Sequence, residues 1–136
     1  MGEPILVSAC LFGLCTRYDG ASKEDPTILS LLPEARFIPV CPEQLGGLST
    51  PRPPAEIIGG DGLAVLEGRA RVINQRGEDV TQAFIKGAEE ALRLAKLFGV
   101  RRAILKSRSP SCGLTPKLGV AAARLLAAGI TVEEWG

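Results

Sequence analysis

Ala103-Ile104-Leu105-Lys106-Ser107-Arg108-Ser109-Pro110-Ser111-Cys112-Gly113 joins a short apolar run to a loop dense in polar groups. The run has the length and composition of a buried strand, so the loop should emerge at its carboxyl end, the edge at which open parallel sheets bind ligands. Three serines, an arginine, a thiol, a proline and a glycine in seven consecutive positions exceed what a plain connection needs. Two other runs end alike. Ile5-Leu6-Val7 leads to Ser8-Ala9-Cys10, and Phe37-Ile38-Pro39-Val40 leads to Cys41. Three thiols are therefore expected at one sheet edge.

The intervening segments alternate in character. Ser22 is a candidate cap for a short helix that opens at Lys23-Glu24-Asp25-Pro26 and runs through Leu32, with Pro33 as its stop. Thr50-Pro51-Arg52-Pro53-Pro54-Ala55-Glu56 is too rich in proline for the interior of a helix or sheet, and is expected as a stiff extended wall beside the site. Gly59-Gly60-Asp61-Gly62 marks a turn, after which Ala64 to Glu67 and Arg69 to Ile73 suggest a small hairpin about Gly68. Asp79 or Thr81 can cap a long helix whose apolar residues, from Ala83 and Phe84 to Leu97, follow helical spacing as far as Gly99. Pro116 through Ala128 is predicted as the last helix and Ile130 to Glu133 as a final strand. The order is that of an α/β protein: a single domain over 1–136, built as a three-layer sandwich around a mostly parallel, Rossmann-like sheet with a small β-hairpin insertion.

The chain has 136 residues, 46% of them apolar, enough for one compact core. Its net charge of +1 gives no bulk attraction to nucleic acid or membrane, and no stable nucleic-acid binding is expected. The first residues carry no leader or spanning segment, which implies a cytoplasmic protein with reduced thiols. Four cysteines in that setting suggest metal binding or catalysis rather than disulfides. Histidine is absent, so the site must work with Cys, Glu, Asp, Ser, Lys or Arg.

A free cysteine at a strand end is often no more than packing, but three converging ones are harder to dismiss. No pair has the Cys-x-x-Cys spacing. Four thiolates would suit zinc, and three would suit an iron–sulfur cluster with one iron left open; the count allows both. Glu43, two residues beyond Cys41, is an ordinary surface carboxylate or, in a chain without histidine, the leading group for proton transfer. Ser109 and Ser111 either satisfy the backbone of their loop or contact a substrate. Arg17 and Tyr18 form a turn or a polar wall, and Arg52 is a candidate anion contact. Phosphate-loop and dinucleotide fingerprints do not occur.

Ser8-Ala9-Cys10-Leu11-Phe12-Gly13 with Cys15-Thr16-Arg17-Tyr18-Asp19-Gly20, Val40-Cys41-Pro42-Glu43-Gln44-Leu45-Gly46-Gly47-Leu48, Pro51-Arg52-Pro53-Pro54-Ala55-Glu56, Asp79-Val80-Thr81 and Leu105 to Gly113 together resemble a bacterial family, formerly a domain of unknown function, that includes thiouracil desulfidases. The resemblance implies a 4Fe-4S cluster on three cysteines whose open iron takes the sulfur of a thiolated pyrimidine base. Water then replaces that sulfur, without net redox change. It further implies Cys10, Cys41 and Cys112 as ligands, with Cys15 as the alternative. Glu43 becomes the general acid/base and Ser109 a proton-relay or substrate contact. From the residues themselves, Arg17, Tyr18, Arg52, Ser107 and Ser111 are the candidate substrate-binding groups. An open-iron cluster of this type is lost on aerobic handling. The rival readings are a zinc or persulfide-carrying protein without catalysis, and a small nucleotide-binding module. The chain departs from the family pattern twice: Leu114 to Gly119 is a shortened loop before the last helix, and Thr16 separates Cys15 from Arg17.

Overall fold

The computed structural model describes residues 3–31 and 34–136. Strands β1 (Pro4–Ser8), β2 (Arg36–Val40), β5 (Arg102–Lys106) and β6 (Thr131–Trp135) form a parallel sheet in the order β2-β1-β5-β6. Both neighbours of β1 are parallel to it, with Ser8 opposite Val40 and Val7 opposite Ile104. The chain thus leaves β1 toward β2 on one side and returns as β5 on the other, so the loops after β1 and β5 diverge over a crevice.

The central strands are apolar on both faces because both are covered. Leu6, Ala103 and Leu105 pack with Leu92, Ala95, Ala122 and Leu125 on one side. Ile5, Val7 and Ile104 pack with Leu11 and Ile28 on the other. The first layer comprises α4 (Thr81–Leu97) and α5 (Val120–Ala127); the second, thinner one comprises a 3-10 turn at Ala9–Phe12 and α1 (Pro26–Ser30). In α4, Phe84, Ala88, Ala91, Leu92 and Ala95 are buried at helical spacing. Lys86, Glu89, Glu90, Arg93 and Lys96 are solvated, and so is Leu97, which the periodicity had placed on the apolar face.

Several boundaries differ from the sequence expectation. The cap of α1 is Asp25, not Ser22: its Oδ1 accepts from Thr27 N at 2.8 Å and Ile28 N at 3.4 Å, and Pro26 occupies the first turn, where no backbone donor is needed. Leu32 and Pro33 lie outside the described residues. The segment after Cys41 holds a short helix, α2 (Pro42–Leu45).

The hairpin is real, but its first arm is β3 (Ala55–Ile58), which runs antiparallel to β4 (Arg71–Asn74). Ala64 and Val65 belong instead to α3 (Gly62–Leu66), whose first turn is capped by Asp61 accepting from Ala64 N at 3.0 Å. A Cβ on Gly62 would stand 2.2 Å from Gly119 O, so α3 is pressed backbone to backbone against the approach to α5. The last helix begins at Val120 rather than Pro116, because Gly119 is extended and lies against the backbone of Ser111 and Cys112.

The helix α2 is seated by glycines. A Cβ on Gly87, in the middle of α4, would fall 1.9 Å from Pro42 O, and one on Gly46 would fall 2.0 Å from Ala83 O. This contact fixes the segment that follows β2 and carries Cys41 and Glu43.

Candidate functional site

Because the four strands are parallel, the loops after β1, β2 and β5 open at one edge. They enclose a cavity of about 470 Å³, a volume typical of small-molecule sites. Cys10, Cys41, Cys112, Glu43, Ser109, Ser111, Ser107, Arg17, Tyr18 and Arg52 all line it, so the structure gathers these sequence-predicted residues in one place. Cys15 is exposed and does not line it.

The thiols differ in setting. Burial pushes Cys112 up to about 12, and the Ser8 hydroxyl is the chief influence that favours the thiolate. Burial also raises Cys10, with Lys106 pulling the other way. Cys41 is partly buried, and its Sγ lies 3.7 Å from Thr16 O. Buried thiols of this kind lose their protons most readily to a bound cation.

Among the described residues, no three Cys, Asp or Glu side chains converge in the manner needed to hold a single ion. Yet three thiols face one cavity from three separate loops. An iron–sulfur cluster accepts that spread, since each thiolate takes a different iron, whereas tetrahedral zinc requires all its ligands around one point. The donor set present therefore fits a cluster held by Cys10, Cys41 and Cys112 better than it fits zinc.

A hydrogen-bonded chain runs beside the thiols. Ser111 Oγ donates to Glu43 Oε2 at 3.0 Å, and Ser109 Oγ lies 3.0 Å from Ser111 Oγ. Since the Ser111 proton is committed to Glu43, Ser109 is the donor in the second bond. Ser109 Oγ in turn accepts from the backbone N–H groups of Ser111 and Cys112, at 3.2 and 3.1 Å. Of the two expectations for the serines, the structure shows the first in Ser109, which satisfies the backbone of its loop, while Ser111 reaches the carboxylate.

Arg52 has a different set of partners from the anion contact expected of it. Its Nε donates to Glu43 Oε1 at 2.8 Å and its Nη2 to Thr16 O at 2.9 Å, so the guanidinium is engaged with the protein itself. Ser107 lines the cavity, but its hydroxyl donates to Gly136 O at 2.7 Å. The Arg17 guanidinium stands over the Tyr18 ring, 5.7 Å from its centroid, which makes the two one wall.

Sequence reasoning missed Lys23 and Lys106 and gave Arg108 no role. All three line the cavity. Lys106 follows directly from the last apolar residue of β5, a position that could have flagged it; Lys23 arrives only because its N–H bonds to Cys10 O at 2.9 Å. Arg108 holds a left-handed backbone, φ 59°, uncommon outside glycine and typical of tightly determined loops. With Glu43 paired to Arg52, the remaining charged lining side chains, Arg17, Lys23, Lys106 and Arg108, are all cationic, and Lys106 Nζ donates to Gly136 O at 3.0 Å. Burial lowers Lys106, as do the other three cations, while Cys10 raises it. A nearly neutral protein thus keeps a positive cavity, suited to thiolates and to anionic sulfur.

The model of the 2-thiouracil desulfurase family matches residues 5–134. An uncharacterized protein of Bacillus subtilis (strain 168), YbbK, is 49% identical over 109 residues, which make up 80% of this chain and 72% of that protein. The solved structure of TudS, described as a 4Fe-4S-dependent thiouracil desulfidase, aligns with a TM-score of 0.82 at 40% identity, covering 97% of this chain and 90% of that one. With a family model spanning nearly the whole sequence and a solved relative sharing its architecture, the chain belongs to the 2-thiouracil desulfurase family.

Proposed function

We propose that the protein exchanges the sulfur of a thiolated pyrimidine for oxygen, with Cys10, Cys41 and Cys112 holding a 4Fe-4S cluster and Glu43 moving the proton. Family membership and the likeness to TudS support the reaction and the cluster. The observation that carries the residue assignment is the meeting, in one cavity, of three thiols from three loops with the Ser109–Ser111–Glu43 chain.

When bound, the cluster supplies a thiophilic Lewis-acid iron that polarises the carbon–sulfur bond. The chain's own groups handle water and protons. Glu43 Oε2 accepts a proton from the attacking water as its oxygen bonds to the ring carbon. As the carbon–sulfur bond breaks, that proton and the second proton of the water, released as the hydroxyl becomes the carbonyl, both pass to the departing sulfur by way of Glu43. The balance is thiocarbonyl plus water to carbonyl plus hydrogen sulfide, with no electron gained or lost. Ser111 keeps Oε2 oriented while Oε1 stays on Arg52, and the serine chain offers a path for the proton. Arg17 and Tyr18 form the wall against which the base is held.

The test is sulfide release from 2-thiouracil by protein reconstituted without oxygen. Stoichiometric formation of uracil and sulfide without added reductant is the expected result. An absolute need for reductant, or no sulfide from a cluster-loaded protein, contradicts the proposal. No helix among the described residues is long and apolar enough to cross a membrane.

A further inference from the structure

We infer that Arg52 is the positioning residue of this site, a buried fork that sets the Glu43 carboxylate and ties it to the Thr16–Tyr18 wall. Its side chain is 6% exposed and that of Glu43 12%, so this is no solvent-screened surface pair. Nε donates to Glu43 Oε1 at 2.8 Å; Nη1 donates to Thr50 Oγ1 at 2.8 Å and Ser49 O at 3.2 Å; Nη2 donates to Thr16 O at 2.9 Å. The backbone N–H of Arg52 adds a bond to Tyr18 O at 2.7 Å. One residue thereby joins the proline-rich segment, the loop after β1 and the first turn of α2.

The geometry gives the fork a definite task. A carboxylate held at one oxygen can still swing about its side-chain torsions. Glu43 is held at both, Oε1 by Arg52 and Oε2 by Ser111, which leaves one orientation toward the cavity. Nη2 also lies 3.9 Å from Cys41 Sγ, and both approach Thr16 O, so the guanidinium that holds the carboxylate also adjoins the neighbouring thiol. A lysine would keep the charge but has no planar array with which to meet Glu43, Thr50 and Thr16 together. The stiffness of Thr50 to Pro54 acquires a purpose: it delivers this fork with little freedom of its own.

The inference rests on the proposed function only in taking Glu43 as the group that acts on water. Holoprotein carrying Arg52→Lys, Arg52→Gln, Glu43→Gln or Glu43→Gln with Arg52→Gln is compared for iron content, sulfide release and crystal structure. Arg52→Lys retains a cation opposite Glu43 and guards against simple misfolding. Expected are wild-type iron content, KM within about twofold, and kcat lowered by about ten- to a hundredfold in both single Arg52 variants. The double variant should be no slower than Glu43→Gln alone, because a carboxylate that has lost its function has no orientation left to lose. Wild-type kcat in Arg52→Lys, or losses that multiply in the double variant, overturn the inference. If wild-type protein releases no sulfide, the functional reading fails separately, and the crystal structure of Arg52→Lys decides: Glu43 Oε2 displaced from Ser111 supports positioning, and Oε2 unmoved overturns it.

Discussion

Ser111 and Glu43, separated by 68 positions in the chain, meet at 3.0 Å with the hydroxyl donating to Oε2. Their loops follow β5 and β2, which do not pair with each other but flank β1. The contact therefore closes over the end of the central strand, where Ser8 Oγ accepts from Lys106 N at 2.8 Å and completes the edge of the ladder.

Glu43→Gln keeps the shape of this contact and removes the base. Iron and acid-labile sulfide should stay at wild-type levels while kcat falls by about 10²- to 10⁴-fold, the usual contribution of a positioned acid or base. Single-turnover sulfide release on cluster-loaded protein measures it, and full turnover removes the carboxylate from the mechanism. Ser111→Ala is the milder change. Loss of one hydrogen bond to a charged group costs about 1.5–3 kcal/mol at most in folding stability, and kcat should fall by less than in Glu43→Gln.

Gly87→Ala places a methyl 1.9 Å from Pro42 O, and the obstacle is backbone, not a flexible side chain. Alanine is the better helix former, so propensity alone argues for stabilisation of about 0.5–1 kcal/mol. The clash should win, with a net loss of about 1–3 kcal/mol in denaturant unfolding. Since α2 must retreat from α4, Glu43 moves with it, and activity should drop even where the variant is fully folded. A variant as stable and active as wild type would show that the contact is not needed.

Glu134 anchors the loop after Cys112 by accepting from Leu114 N at 2.7 Å and from Thr115 N at 3.1 Å, as well as from the Thr115 hydroxyl. The Thr115 hydroxyl first, then the Leu114 N–H, hold its carboxyl below the ordinary 4.5. A group depressed in the folded state stabilises above its unfolded value and ceases to do so as pH falls through its folded value. Melting temperature should therefore decline from about pH 4.5 downward in wild type, and less steeply in Glu134→Gln. Parallel curves would exclude Glu134 as a source of the decline.

Much of this was legible in the sequence, for particular reasons. Ile5 to Val7, Phe37 to Val40 and Ala103 to Leu105 are short apolar runs bounded by polar or proline residues, and the starts and ends of β1, β2 and β5 follow from them. Their common orientation brought Cys10, Cys41 and Cys112 to one edge. Ala64 to Glu67 was misjudged because an apolar run as short as Leu63 to Leu66 fits helix and strand equally well. The choice was settled by Asp61 as a cap and by the Gly62–Gly119 contact, which joins residues far apart in the chain. The partners of Arg52 had no local signature either: Glu43, Thr16 and Thr50 become its neighbours only when three loops fold over the sheet edge.

Iron and acid-labile sulfide, measured on protein reconstituted without oxygen, test the central claim most directly when wild type is set beside Cys10→Ser, Cys41→Ser, Cys112→Ser and Cys15→Ser. The account predicts about four irons and four sulfides per chain in wild type and in Cys15→Ser, as the cluster type requires, and a large loss in each of the other three. A wild-type cluster that survives any of those three replacements, or that is lost only with Cys15, would contradict it.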